Sequence, residues 1–174
     1  IGHVGTVELA AVAAGQSVIG AILALSIFLA YGTTASVSRH IGAQDSTGAW
    51  ALAVSGLWLA IFWGIAVAVL VAIFSEPLLA PFVSSPQTAE LARSYLLIST
   101  LGMVPMFLFL AATGALRGVL DLKTPLMVVV IANIANATLA MLFVYGFGWS
   151  VPGAAWATVI AQSAGGLYLA SRVI

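Results

Sequence analysis

Four stretches of this chain, residues 10–38, 46–75, 94–116 and 124–171, contain no Asp, Glu, Lys or Arg. Each is as long as the ~20 apolar residues a helix needs to cross a bilayer, and the last is long enough to cross twice. Such runs leave few ways to fold. In lipid every backbone N–H and C=O must be satisfied within the chain, so the segments become helices packed on one another. Composition agrees: 6% of the 174 residues are charged and 63% hydrophobic, with a mean hydropathy of +1.18. Soluble domains carry about 25% charged residues. The expected fold is an all-α membrane protein, a polytopic bundle of transmembrane helices.

Net charge excludes some partners. Five basic residues balance five acidic ones, so no patch points to nucleic acid or to anionic lipid headgroups, and the bilayer itself is the expected surroundings. The absence of cysteine removes disulfides and thiolate metal sites. The opening IGHVGTVELAAV has no basic n-region before an apolar core and is not read as a signal peptide. With no initiator Met, and with YLASRVI ending as a helix leaves the membrane, the chain is expected to be a fragment cut at both ends.

The few polar residues divide the chain into five expected spans, at about 7–38, 47–74, 90–116, 124–146 and 152–172. The first carries a more polar tail, GTTASVS, that ends at RHIGAQD. There Gly42 suits a helix stop and Asp45 or Ser46 a new N-cap. Pro105 is the expected kink of the third span, and Pro152 a first-turn residue of the fifth. If the helices alternate, Arg39, Arg117, Lys123 and Arg172 share one side and Arg93 stands on the other. The positive-inside rule then places the RHIGAQD and RGVLDLK loops in the cytoplasm of a multi-pass plasma (inner) membrane protein. The link SEPLLAPFVSSPQTAE is expected to lie along the outer interface, with the short GFGWS turn also outside. Trp149 and Trp156 belong near that boundary, while Trp58 and Trp63 fall deeper and read as packing residues. Stripes of small residues, Ala157–Ala161–Gly165 and Ala154–Thr158–Gln162–Gly166, predict close helix contacts.

Polar side chains inside the spans carry the functional question. At about 1.5 Å per residue, Asn136 and Gln162 each lie some 15 Å below the outer turn. Thr158 lies about 9 Å down, level with Ala140. Gln16 belongs to a similar outer-half layer, and Asn133 is one turn deeper than Asn136. Residues 133, 136 and 140 share a helix face. One reading is interhelical glue, but such hydrogen bonds average about 0.6 kcal/mol, with a maximum near 1.7. That is little reason to keep a whole layer. The other reading is the lining of a polar cavity on a transport path.

No catalytic or metal constellation stands beside this layer. There is no His-Glu-x-x-His motif, Gly-x-Ser-x-Gly elbow or phosphate-cradling Gly-Lys loop, so neither an enzyme nor a cofactor is expected. His3 and His40 fall at opposite membrane faces, which argues against a shared metal. Glu8, Asp45, Glu76, Glu90 and Asp121 all map to ends or loops. In the loop ALRGVLDLKTP, the charges Arg117, Asp121 and Lys123 either hold a topogenic turn in the cytosol or form an Arg117–Asp121 pair tying two helices together.

Several stretches together resemble the multidrug and toxic compound extrusion (MATE) family, in particular its branch named after the DNA-damage-inducible protein F. GHVGTVELAA resembles that family's link between its first two helices, and YGTTASVSRHIGAQD its second-helix exit and first cytoplasmic loop. YLLISTLGMVPMFLFLAATGALRGVLDLKTPL resembles its fourth helix and following loop, and VYGFGWSVPGAAWATVIAQ its fifth-to-sixth helix hairpin. Each match alone is weak; four in order cover essentially the whole chain.

The resemblance implies most of the N-terminal lobe of a twelve-helix protein, helices two to six, without the first helix and the second lobe. It implies a secondary active exporter of drugs or metabolites working by alternating access in exchange for H⁺ or Na⁺. Its partners would be a small organic substrate and the remainder of the same polypeptide. In the proton-linked relatives a network uses carboxylates on helices one and five, an Asn one turn before the second carboxylate, and a Thr on helix six. By position that Asn resembles Asn136 and that Thr resembles Thr158. Ala140 stands where the helix-five carboxylate would be, so this stretch holds no group that titrates near working pH. The alternatives are a flippase for lipid-linked precursors, which the lack of Lys or Arg within the spans disfavours, and a non-transporting membrane scaffold.

Overall fold

Every charge-free stretch is helical, but two of the expected spans are broken. The structure, a computed structural model, describes residues 5–174; His3 lies outside them. Its helices are α1 (Thr6–Leu25), α2 (Phe28–Gly42), α3 (Ser46–Ile73), α4 (Ser75–Leu79), α5 (Pro86–Thr100), α6 (Met103–Gly118), α7 (Lys123–Met141) and α8 (Ser150–Ser171). A 3₁₀ turn, Ala80–Phe82, follows α4, and a π-helical turn, Leu142–Gly146, ends α7. Among the described residues there is no strand.

The first expected span divides at Ser26–Ile27 and runs on to Gly42. The Ser26 hydroxyl donates to the Ile22 carbonyl at 2.8 Å and accepts from the Trp63 indole N–H at 2.9 Å. A serine bonding back into its own helix competes with the backbone ladder and bends it. The third expected span divides at Leu101–Gly102, where the halves α5 and α6 meet at 54°. Pro105 has no N–H, and its ring crowds the carbonyl four residues earlier. The break therefore falls one turn ahead of the proline, at Leu101.

Three helical stretches are long and apolar enough to cross a membrane: Thr6–Gly42, Ser46–Ile73 and Lys123–Gly146. The bent α5–α6 pair makes a fourth if it is one span. At 22 residues α8 is long enough, at about 33 Å, but its Gly, Ser, Thr and Gln residues dilute the apolarity. Its small residues Ala157, Ala161 and Gly165 are buried as the stripes predict.

Close contacts centre on α6, which packs on α2, α3 and α8. A Cβ at Gly114 would strike the Ala30 backbone on α2, and one at Gly166 the carbonyl of Pro105. Thr34 reinforces the first contact by donating across to the Gly114 carbonyl at 2.9 Å. Trp63 packs as expected, with its edge on Phe28 at 5.5 Å between ring centroids. Trp58 does not: it is 57% exposed on the outer side of α3. Depth along the span alone therefore did not decide its role.

Two turns share one design. Gly42 and Gly118 each end a helix, and the left-handed residue comes two positions later, at Gln44 (φ 62°) and Leu120 (φ 65°). The N–H groups of Asp45 and Asp121 then reach back to the His40 and Leu116 carbonyls at 2.9 and 2.8 Å. This six-to-one bond marks a Schellman turn. Each aspartate next caps the following helix, Asp45 accepting from the Gly48 N–H at 2.9 Å and Asp121 from the Thr124 N–H at 3.0 Å. Gly42 is thus the last helical residue rather than the turn itself.

Candidate functional site

The five polar residues singled out from the spans meet in one place. Gln16 on α1, Asn133 and Asn136 on α7, and Thr158 and Gln162 on α8 all line a cavity of about 380 Å³. Its apolar wall comes from Leu23, Met106, Phe109 and Leu110. The helical period is the cause: residues 129, 132, 133 and 136 fall on one face of α7, and 158, 161 and 162 on the facing side of α8.

Hydrogen bonding fixes how the amides are held. Asn136 donates its Nδ2–H to the Thr158 hydroxyl at 3.0 Å, and Thr158 donates to the Ala154 carbonyl at 3.0 Å. Because that single hydroxyl proton is committed, Thr158 can only accept from Asn136. Asn133 donates to the Val129 carbonyl at 2.9 Å, again a pure acceptor. Both asparagines therefore spend N–H groups on the protein, and among the described residues neither Oδ1 is engaged. Among the described residues Gln162 forms no hydrogen bond and keeps both ends of its amide.

Tyr95 was not read from the sequence. It is only 1% exposed on α5, packs its ring on Gly15, and accepts from Gln16 Nε2 at 3.0 Å. With Ser99 and Met103 it lines a second cavity of about 60 Å³ that shares Gln16, Met106, Thr158 and Gln162 with the first. The available signal was a tyrosine and Ser99 four residues apart on an otherwise apolar stretch, a polar stripe at helical spacing.

Ala140 lies one turn beyond the lining and is half-buried. No Asp, Glu, His, Lys or Arg is among the residues around either cavity. Asn, Gln and Thr do not titrate in the working range, so these walls hold, orient and exchange hydrogen bonds without taking up a proton.

The loop charges behave differently from the paired reading. Among the described residues Arg117 and Asp121 form no ion pair. Asp121 is engaged instead by the hydroxyl and N–H of Thr124, which hold its carboxyl below the usual range, with the Arg172 charge adding to this. A carboxylate satisfied at a helix start gains little from an exposed guanidinium. Asp45 is likewise lowered, by the Gly48 N–H and then by His40, whose ring nitrogen lies 2.7 Å away. Asp121, Lys123 and Arg172 gather at one end of the bundle. Arg93, 3.6 Å from Glu76, stands at the other.

Membrane-length helices packed around an uncharged, amide-lined cavity define an α-helical membrane protein. Comparison with known proteins gives the family. The MatE family profile matches residues 1–142, and the chain belongs to that family. It is 34% identical over 176 residues to Protein DETOXIFICATION 44, chloroplastic, of Arabidopsis thaliana, covering 93% of this chain and 33% of that protein. It is 32% identical to the DNA damage-inducible protein F of Escherichia coli, covering 94% of this chain and 36% of that one. A crystal structure of MATE in the bent conformation superposes with a TM-score of 0.92 at 29% identity, over 98% of this chain and 38% of that one. An inward-facing multidrug resistance MATE family transporter gives 0.91. The chain spans about a third of the length of the curated relatives it matches.

Proposed function

We propose that this chain is most of the N-terminal lobe of a secondary active exporter, and that its amide-lined cavity is part of the path of a small organic solute through the plasma membrane. The observation that carries this reading is the convergence of Gln16, Asn133, Asn136, Thr158 and Gln162 on one cavity of about 380 Å³. Membership of a family that includes proteins named for multidrug resistance supports it. Glue between helices would need neither a void nor an amide, that of Gln162, without a partner among the described residues.

Alternating access about a site near the midplane is the mechanism that suits this geometry. Coupling to H⁺ would rest on a group outside α7, since Ala140 cannot ionise and the lining of the amide cavity carries no titratable side chain; Na⁺ would need only oxygen ligands. The chain has no role as an enzyme in this reading. The test is efflux from vesicles containing the complete protein, driven by an imposed proton or sodium gradient. Uptake into inverted vesicles that follows one of the gradients is the expected result; solute movement indifferent to both sinks the exporter reading.

A further inference from the structure

Five serine and threonine side chains are buried among the described residues: Ser26, Ser75, Thr88, Ser99 and Thr113. Four of them are hydrogen-bonded. Ser26, Ser75 and Ser99 donate to carbonyls three or four residues back, and Thr88 pairs with the Ser85 hydroxyl at 2.8 Å. Thr113 on α6 is the exception: it is 7% exposed, and its Oγ1 has no partner among the described residues. The usual resort of a helical threonine, a carbonyl of its own preceding turn, is not taken. A buried hydroxyl without a partner costs stability, so its presence calls for a reason. Its oxygen is already sealed within this chain, and the rest of the polypeptide can supply a partner only after a rearrangement.

Position supplies the reason. Met106, Phe109 and Leu110 on α6 line the amide cavity. Thr113 continues that stripe at helical spacing, four residues beyond Phe109 and three beyond Leu110. It stands one turn, about 5 Å, nearer the Gly118 end of α6. Side chains on a helix lean toward its N-terminus, so Thr113 leans toward the turn of Phe109 and Leu110, where the cavity lies. What separates the two is apolar packing. A Cβ at Gly165 on α8 would meet Phe109 at 3.3 Å and Val128 on α7 at 3.4 Å.

We propose that Thr113 is a further solute-contacting residue, concealed in this conformation and uncovered when Phe109 and Val128 part from Gly165, an inference that rests on the solute-path reading above. The amide cavity then extends by one turn toward the Gly118 end of α6. There the hydroxyl, able both to donate and to accept, bonds a polar group of the passing solute in place of the protein partner it lacks.

Two measurements on the complete protein test this. The first reads exposure and needs no solute. In a cysteine-free background, Thr113→Cys is compared with Ala111→Cys, two residues away on the opposite face of α6 and 0% exposed. Both are treated in vesicles with a small charged methanethiosulfonate on both sides of the membrane. Thr113→Cys is expected to react about tenfold faster, because water reaches it in part of the conformational ensemble. Equal inertness of the two overturns the assignment. The second removes the hydroxyl at nearly constant shape. Thr113→Val is expected to melt no lower than the wild type, since no protein hydrogen bond is lost. It is expected to lower kcat/KM for gradient-driven efflux of ethidium, the probe solute, by about three- to tenfold, the loss of one hydrogen bond. Thr113→Ser, which keeps a hydroxyl, is expected to restore most of that. A lower melting temperature for Thr113→Val means that the hydroxyl has a partner in the fold, and overturns the assignment; unimpaired efflux overturns it too. A wild type that moves no ethidium under either gradient counts against the exporter reading instead, and the thiol comparison then decides Thr113 by itself.

Discussion

Asn136 on α7 donates to Thr158 on α8 across 3.0 Å, and Thr158 passes its own proton to the Ala154 carbonyl. Both bonds run in one direction, from the α7 amide through the Thr158 hydroxyl to the α8 backbone. The pair crosses the helix contact at the edge of the cavity, so it separates the two things a polar residue in a membrane can do. As a bond it is worth about 0.6 kcal/mol, with a maximum near 1.7. Asn136→Ala is expected to lower stability by no more than that in thermal unfolding of the detergent-solubilised complete protein. It is expected to reduce efflux by more than tenfold, which would exceed a loss of about 1.4 kcal/mol. Efflux and stability falling in step would return Asn136 to a packing role.

The chain has no cysteine of its own, so single cysteines report cleanly. Asn136→Cys, Thr158→Cys and Gln162→Cys are expected to react with small charged thiol reagents added from the aqueous phase. Ile134→Cys, on the exposed side of α7 away from the cavity, should stay inert, because a thiol in hydrocarbon does not ionise. Inertness at all three cavity positions would leave only the glue reading.

Ala140 tests the source of ion coupling. Ala140→Asp places a titratable group one turn from Asn136, in a half-buried setting that penalises the charged form. The pH profile of efflux is expected to acquire a new inflection. A superimposable profile would show that this position has no access to the transported ion.

The two aspartate caps give a pH prediction at the opposite end of the bundle from Arg93. Asp45 and Asp121 are both lowered from the ordinary 3.8. A lowered carboxylate stabilises the fold at pH values above its unfolded pKa, and that contribution is lost as pH falls through the folded one. Exchange protection of the Gly48 and Thr124 amides is therefore expected to hold from neutral pH to about 4 and to fall below it. Asp45→Asn and Asp121→Asn, which keep an acceptor but no titrating group, should flatten that dependence.

Close helix approach makes the last prediction. Gly166→Ala drives a methyl into the Pro105 carbonyl and is expected to cost roughly 1–3 kcal/mol. Gly42→Ala, where a Cβ meets nothing within 4 Å, should be neutral or gain roughly 0.5–1 kcal/mol. Equal melting temperatures for the two variants would contradict the α6–α8 contact.

Much of this was legible because lipid is an unforgiving solvent. Charge-free runs mark helices, and the rarity of polar residues makes each one conspicuous; that is how Gln16, Asn133, Asn136, Thr158 and Gln162 could be grouped before their cavity was seen. The two breaks were harder. Ser26 bends its helix by a bond to Ile22 that Trp63 secures from another span, a partnership no local pattern records. Pro105 was visible, but its effect is displaced to Leu101. Tyr95 escaped because a single aromatic in an apolar stretch looks like packing until Gln16 is found beside its hydroxyl. Of the two readings of the Arg117–Asp121 spacing, the structure shows no such pair among the described residues, since Asp121 finds backbone and hydroxyl donors closer at hand.

The broken helices and the Gly-x-x-Asp turns recur. The Ser26–Ile27 break precedes Gly42, and the Leu101–Gly102 break precedes Gly118, by about four helical turns. Each glycine is followed by a left-handed residue, a capping aspartate and a long helix, α3 in one case and α7 in the other. One break-and-turn pattern thus occurs twice in the described residues. A substitution at Gln44 has a twin at Leu120, and one at Asp45 has a twin at Asp121. A difference in outcome within a twin pair isolates what the α7 copy has added, which is the amide face of Asn133 and Asn136.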